Sequence, residues 1–311
     1  MPAGAADPEL ARRIVDAMNV VFGSHDQRRA VHAKGVFCSG TFTATPEAAA
    51  LTTAAHMQGG SVEALIRFSN AGGDPGTPDF ARQGQGIAVQ LKLPDGSATD
   101  ILGVTVPAFV ARTPEDFLAL NEARAPDPDT GDPDMEKIGA YLGAHPEAMP
   151  AVQHTLETPP PESYARLRFN ALHAFRWTNA DGEARWVRYR LIPEAGEATI
   201  ADDEAKALGP NYLSDELAER LADGPAAFSL ELILGEEGDP TDDPTALWPE
   251  ERHTLIAARL EVNELLDDPE ADGEIVVFDP TRVIEGIELP DDPILRMRPV
   301  AYSVSAERRA K

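Results

Sequence analysis

The way its strand-like runs are joined constrains the fold of this 311-residue chain more than any other feature. Ala64 to Ser69, Ile87 to Leu93, Ile101 to Val106, Phe175 to Trp177, Arg185 to Leu191, Phe228 to Leu234, Leu255 to Val262 and Glu274 to Phe278 are short runs rich in β-branched and aromatic residues. Such runs read as strands. Pro94-Asp95-Gly96 and Asn179-Ala180-Asp181-Gly182 supply turn signals between neighbours, and Asp-Gly in particular suits a hairpin. No regular alternation of strand and helix accompanies them, so the expected class is antiparallel α+β rather than a parallel sheet wrapped in crossover helices.

Helices are expected where a capping residue precedes Pro, because Pro at the first helical position sacrifices no bonded N–H. Asp7-Pro8 starts one that runs to Phe22, Thr45-Pro46 another that runs to Gly59-Gly60, and Thr113-Pro114 a third over Glu115 to Ala123. Asp202 to Leu208 and Asp215 to Ala222 complete the set. No repeat and no convincing linker divides the chain. One domain over residues 1–311 is expected, with a short N-terminal arm over 1–24 and no C-terminal extension.

Charge narrows the partners. Against 53 Asp and Glu stand 27 Lys and Arg, a formal net charge of −26. That field repels phosphate backbones and anionic lipid, which argues against nucleic acid and membrane partners. No apolar run approaches the ~20 residues a membrane helix needs. With no basic, apolar leader at Met1 to Leu10, the expected location is the cytoplasm. One cysteine, Cys38, excludes an intrachain disulfide.

Walker, C-x-x-C, G-x-S-x-G and H-E-x-x-H motifs are absent, and Gly84-Gln85-Gly86 neither follows an expected strand nor opens a helix. The informative stretch is Arg29-Ala30-Val31-His32-Ala33-Lys34-Gly35, followed by Phe37 and Gly40-Thr41-Phe42. Further along come Ile66-Arg67-Phe68-Ser69, then Gln85 to Val89, then Asp100-Ile101-Leu102-Gly103 ending at Pro107-Ala108-Phe109. Phe278-Asp279-Pro280, Gly286-Ile287-Glu288 and Arg298-Pro299-Val300-Ala301-Tyr302 close the series. In this order and over residues 20–309, the chain resembles the heme catalase family.

The resemblance implies an antiparallel β-barrel of about eight strands with peripheral helices and a heme, of the b type, buried beside the barrel. It makes Tyr302 the axial iron ligand. A phenolate is a hard anionic donor that favours ferric iron, and because free Tyr titrates near 10, ionising it calls for a cation such as Arg298. Pro299 complicates that pairing, since the residue before Pro is biased away from helix and the helix is expected to begin at Pro299. His32 becomes the acid–base residue for peroxide cleavage, and Ser69 the group that fixes its tautomer. Arg29, Arg67 and Arg309 become the cations for the heme propionates. Val31, Val104, Phe109, Phe117 and Ala301 line the ring, and His173 falls near the pocket edge.

At one position the resemblance breaks. Catalases carry a distal Asn where this chain has Val104, and Thr105 points to the other face of the strand. Losing a donor that acts in the transition state costs about 2.7–4 kcal/mol, or several hundredfold in rate. The expected activity is a heme peroxidase that reduces hydrogen peroxide or organic hydroperoxides with an external small-molecule electron donor, has little catalase activity and forms a homodimer. The alternatives are a true catalase, a hydroperoxide isomerase of the allene oxide synthase type, and a heme-binding protein without activity.

Overall fold

A computed structural model of the chain describes residues 6–271 and 273–310. Its strands are β1 (Gly35–Ala44), β2 (Ser61–Asn70), β3 (Gln85–Lys92), β4 (Ala98–Val104), β5 (Phe169–Asn170), β6 (Phe175–Thr178), β7 (Ala184–Pro193), β8 (Ala226–Leu234), β9 (Thr254–Leu266) and β10 (Ile287–Glu288). All their pairings are antiparallel. The order β7-β5-β4-β3-β2-β1-β9-β8 returns to its start, because β8 also pairs with β7 from Val187↔Leu234 to Pro193↔Phe228. The result is a closed eight-stranded barrel, as expected, with β6 and β10 on its rim. Closure removes the open edges that an acidic chain of this size otherwise has to guard.

Aromatic rings fill the barrel. Phe68 lies 5.4 Å from Tyr164, 6.0 Å from Phe169 and 6.1 Å from Phe228, centroid to centroid. Because side chains alternate along a strand, the β2 residues that flank Phe68, Arg67 and Ser69, face outward. There they are covered by a second layer. Helices α1 (Pro8–Phe22), α2 (Pro46–Ala49), α3 (Pro114–Arg124), α4 (Met135–Ala144), α5 (Met149–Glu157), α6 (Asp202–Leu208), α7 (Tyr212–Asp223) and α8 (Pro293–Arg309) surround the barrel. Three of them, α1, α3 and α8, share a separate apolar core of Leu10, Ile14, Val15, Met18, Leu118 and Met297.

α4, α5, β5 and β10 were not expected from the sequence, and three further departures have a local reason. β1 was not anticipated, because Gly35, Ser39 and Gly40 dilute its apolar alternation. Gly40 is required there: a Cβ would stand 2.4 Å from both the Glu261 carbonyl oxygen and Ile66 Cδ1, at the bulge where β1 shifts register against β9. The helix expected over 46–59 stops after Ala49. Thr52 turns its hydroxyl to the Gly286 carbonyl at 2.8 Å and accepts the Ala54 N–H, competing with helical bonding. Residues 274–278 form no strand; side-chain donors take the carbonyls that a ladder would use, Arg29 at Val276 (2.9 Å) and Arg282 at Val277 (3.2 Å).

Replacing Phe68 by Ala deletes the ring on which three others pack. The expected loss is about 3–5 kcal/mol, read as a lower urea midpoint with an unchanged slope.

Candidate active site

β2 supplies the first wall of the site. Gly35 of β1, Ser69 of β2, Gly86 of β3 and Val104 of β4 are opposed in register, so this row presents one face. The His32 ring lies over it. Its Nδ1 is 2.9 Å from Ser69 Oγ, and a Cβ on Gly86 would stand 2.8 Å from His32 Cε1, so only glycine leaves room for the imidazole. His32 adopts a left-handed backbone, φ 55°, a conformation that costs roughly 1–2 kcal/mol. It is held by backbone bonds from His32 N to Ala71 O (3.2 Å) and from Ala33 N to Gly72 O (3.1 Å). Although His32 keeps some accessible surface, desolvation, reinforced by the fields of Arg67, Arg298 and Arg29, lowers its pKa to about 3. The imidazole is therefore neutral, with a free lone pair. Val31, next to His32, packs on the same apolar cluster as Val300, Ala301 and Val304 of α8, which brings His32 and α8 to one site.

α8 supplies the opposite wall. It starts at Asp292-Pro293, with Asp292 Oδ1 accepting the Leu295 N–H at 3.0 Å. Pro299 therefore lies inside the helix rather than at its start, correcting the expectation from its position after Arg298. The start signal is the same capping residue plus Pro that marks α1 and α3. Four residues apart on one helical face, Arg298 donates from Nε to Tyr302 Oη at 2.7 Å. Its Nη1 donates to His173 Nε2 at 3.0 Å. Because guanidinium only donates, His173 keeps its lone pair on Nε2 and its proton on Nδ1, which donates to Asp292 Oδ2 at 2.6 Å. Both His173 (3% exposed) and Asp292 (1%) are buried, and desolvation holds His173 below the usual imidazole range. Asp292 thus caps the helix with one oxygen and anchors a chain of bonds to Tyr302 with the other. The sequence pointed to His173 only as an edge residue and gave no sign of Asp292 beyond its Asp-Pro start.

Arg29, Arg67 and Arg309 converge at one side. Arg29 and Arg309 share Glu270, and the Arg29 and Arg67 guanidiniums lie 5.9 and 5.5 Å from the Phe37 ring centroid. Burial, then the neighbouring Arg29, lowers Arg67 to about 9. Its Nε and that of Arg309 are buried without a partner. Val31, Phe117 and Ala301 border the helical core, with the Phe117 ring 5.2 Å from that of Phe109. These sequence-identified residues therefore lie on the barrel wall and the helical layer that face one another. Orphaned buried guanidinium N–H groups, a phenol paired with an arginine and a neutral histidine form a donor set that fits an anionic iron porphyrin. A separate cleft of ≈ 380 Å³ is lined by Gln85, Thr105, Arg82, Arg166, Arg190 and Trp248. Those three arginines are already paired with Asp202, Glu162 and Glu231, and His32 and Tyr302 do not line it.

A model of the catalase family matches residues 25–310. A protein named catalase-related peroxidase from Mycolicibacterium paratuberculosis is 40% identical over 308 residues, 99% of this chain and 96% of the relative. A second of that name from Synechococcus elongatus is 33% identical, over 96% of this chain and 88% of its own. Among solved structures, a fungal catalase superposes with TM-score 0.83 at 23% identity and a bacterial catalase with 0.82 at 23%. The alignments cover 95% and 92% of this chain but 62% and 58% of those catalases, so the chain spans about three fifths of their length.

Asp292→Ala removes the α8 cap and strands the His173 N–H. The two losses together are expected to cost about 2–4 kcal/mol, measured as a drop in thermal unfolding midpoint, while Asp291→Ala, at an exposed carboxylate, is expected to leave it unchanged.

Proposed function

The chain belongs to the catalase family, and from that premise we propose that it works as a heme peroxidase, with His32 as its acid–base residue and Tyr302 as the axial ligand. It is an oxidoreductase acting on peroxide. Among the described residues no helix is long and apolar enough to cross a membrane. The observation that carries the reading is the neutral His32 imidazole, bonded to Ser69 and opposed to the Arg298–Tyr302 pair.

Bound heme would supply the redox chemistry that reduces the peroxide O–O bond, with an external donor as the source of the electrons. Everything else falls to the protein. Tyr302 would hold the iron, and Arg298 stabilises negative charge on its oxygen through the Nε bond. Arg67, Arg309 and Arg29 form the cationic side on which the propionates would lie. Val31, Val104, Phe109, Phe117 and Ala301 exclude water around the ring. Ser69 accepts the His32 Nδ1 proton and so leaves the Nε2 lone pair free. His32 Nε2 takes the proton of the hydroperoxide and returns it to the oxygen that departs as water or alcohol. With Val104 in the row beside Gly86, no amide there orients a second hydrogen peroxide for oxidation. Reduction by a small-molecule donor therefore outruns dismutation. Relatives named catalase-related peroxidases favour neither the isomerase nor the inactive heme-binding reading.

His32→Ala is expected to lower donor oxidation by 10²–10⁴-fold while the Soret band persists; unchanged turnover would defeat the proposal. Val104→Asn is expected to raise oxygen evolution from hydrogen peroxide relative to donor oxidation by about 10²-fold. pH offers a third check. Imidazole titrates near 6.5 when free and about 3 at His32. Between those values the unfolded chain binds the extra proton, so this group contributes stability that is complete above 6.5 and is lost as pH falls toward 3. Turnover is accordingly expected to stay flat from pH 8 to about 5, whereas a base with an unshifted pKa would lose half its activity by about 6.5.

A further inference from the structure

Among the described residues, Glu270 is the carboxylate hydrogen-bonded to two of the three arginines proposed to bind the heme propionates. Its Oε1 accepts from Arg29 Nη2 at 3.0 Å, from Arg309 Nη1 at 2.7 Å and from the Val276 N–H at 3.0 Å, and its Oε2 accepts from Arg29 Nη1. The side chain is 13% exposed, against 17% for Arg29 and 7% for Arg309. The Val276 bond ties the carboxylate to its own loop, and Asp268 accepts the Glu270 N–H at 2.9 Å. Glu270 is therefore a fixed part of the wall rather than a surface group swung inward.

Arg29, Arg67 and Arg309 depress one another's hold on the proton in two of the three pairings: Arg29 acts against Arg67, and Arg309 against Arg29. Three like charges at low dielectric fly apart unless an anion lies between them. Glu270 also absorbs the whole end-on fork of Arg29, while Arg67 and Arg309 keep buried, unpartnered Nε groups. Asp268 also acts on Arg29 and Arg67 but is offset by Arg28 at 4.0 Å, so the three guanidiniums and Glu270 leave two positive charges, the number that a heme with two ionised propionates brings in negative charge.

We propose that Glu270 is the built-in counterion of the propionate site: it locks Arg29 beside Arg309 and trims the cluster to a net charge that fits a dicarboxylate porphyrin. This rests on the assignment of Arg29, Arg67 and Arg309 to the propionates. Arg29 then acts mainly through Glu270, and Arg67 and Arg309 make the direct contacts.

The test compares retention of heme b with that of its uncharged dimethyl ester in the full-length protein, followed by Soret decay as each porphyrin transfers to excess apomyoglobin. Glu270→Gln keeps the shape and removes the charge. It is expected to shed heme b roughly tenfold faster with no change for the ester, and Glu270→Asp, which keeps the charge, is expected to recover part of the loss. Unchanged or slower release of heme b would overturn the proposal, slower release meaning that Glu270 competes with the propionates. Equal loss of both porphyrins would also overturn it, reducing Glu270 to a prop for its loop. Arg67→Ala separates the two layers: if it sheds heme b while Glu270→Gln does not, the propionate assignment stands and the counterion fails. If Arg67→Ala shows no preference between heme b and the ester, both fail.

Discussion

A β-strand has two faces, and β2 uses both. Phe68 holds the barrel core together, and Arg67 and Ser69 on either side of it form the wall of the site. The pleat permits no residue to serve both purposes, so the register that packs the aromatic cluster is the register that aims the polar side chains. A slip of one position would send Arg67 and Ser69 into the apolar interior and expel Phe68. Barrel stability and site geometry are for this reason the same constraint, enforced by β1 on one side and β3 on the other.

Against that wall the rest of the site is a problem of buried charge. The chain is strongly acidic overall, yet its site gathers Arg29, Arg67, Arg298 and Arg309, each against a specific acceptor or field. Much of the acidity lies outside, at exposed residues such as Glu236, Glu237 and Asp242, while Arg29, Arg298 and Arg309 of the site are tied to buried or part-buried carboxylates in two small circuits. One runs from Asp292 through His173 and Arg298 to Tyr302; the other links Glu270 with Arg29 and Arg309. Asp292 is buried and the Glu270 side chain is only 13% exposed, so salt screens both circuits weakly.

How much of this was legible follows from sequence distance. Short motifs carried His32, Ser69, Arg67, Arg298 and Tyr302, because each acts within a few residues of a recognisable neighbour. The hairpin at Asn179 to Gly182 and the capped starts of α1 and α3 were local as well. Glu270 and Arg29 are 241 positions apart, and His173 and Asp292 are 119 apart. Their meeting is decided by barrel closure and by the seating of α8, which no local pattern records. Pro299 misdirected the reading of α8 because a strong local breaker was overridden by packing and by the cap seven residues upstream. β1 stayed hidden since the glycines that allow its close approach also erase its alternation.

Gly86 offers nothing but absence, and that has a consequence for descent. Any side chain at this position strikes the His32 ring, so the floor under the imidazole admits no gradual change. Val104, one strand away in the same row, meets no such obstacle. On the role proposed for Val104, lineages that share this barrel can trade one peroxide chemistry for another at position 104 while position 86 stays silent, and the history of such a family would be written in one half of a two-residue pair.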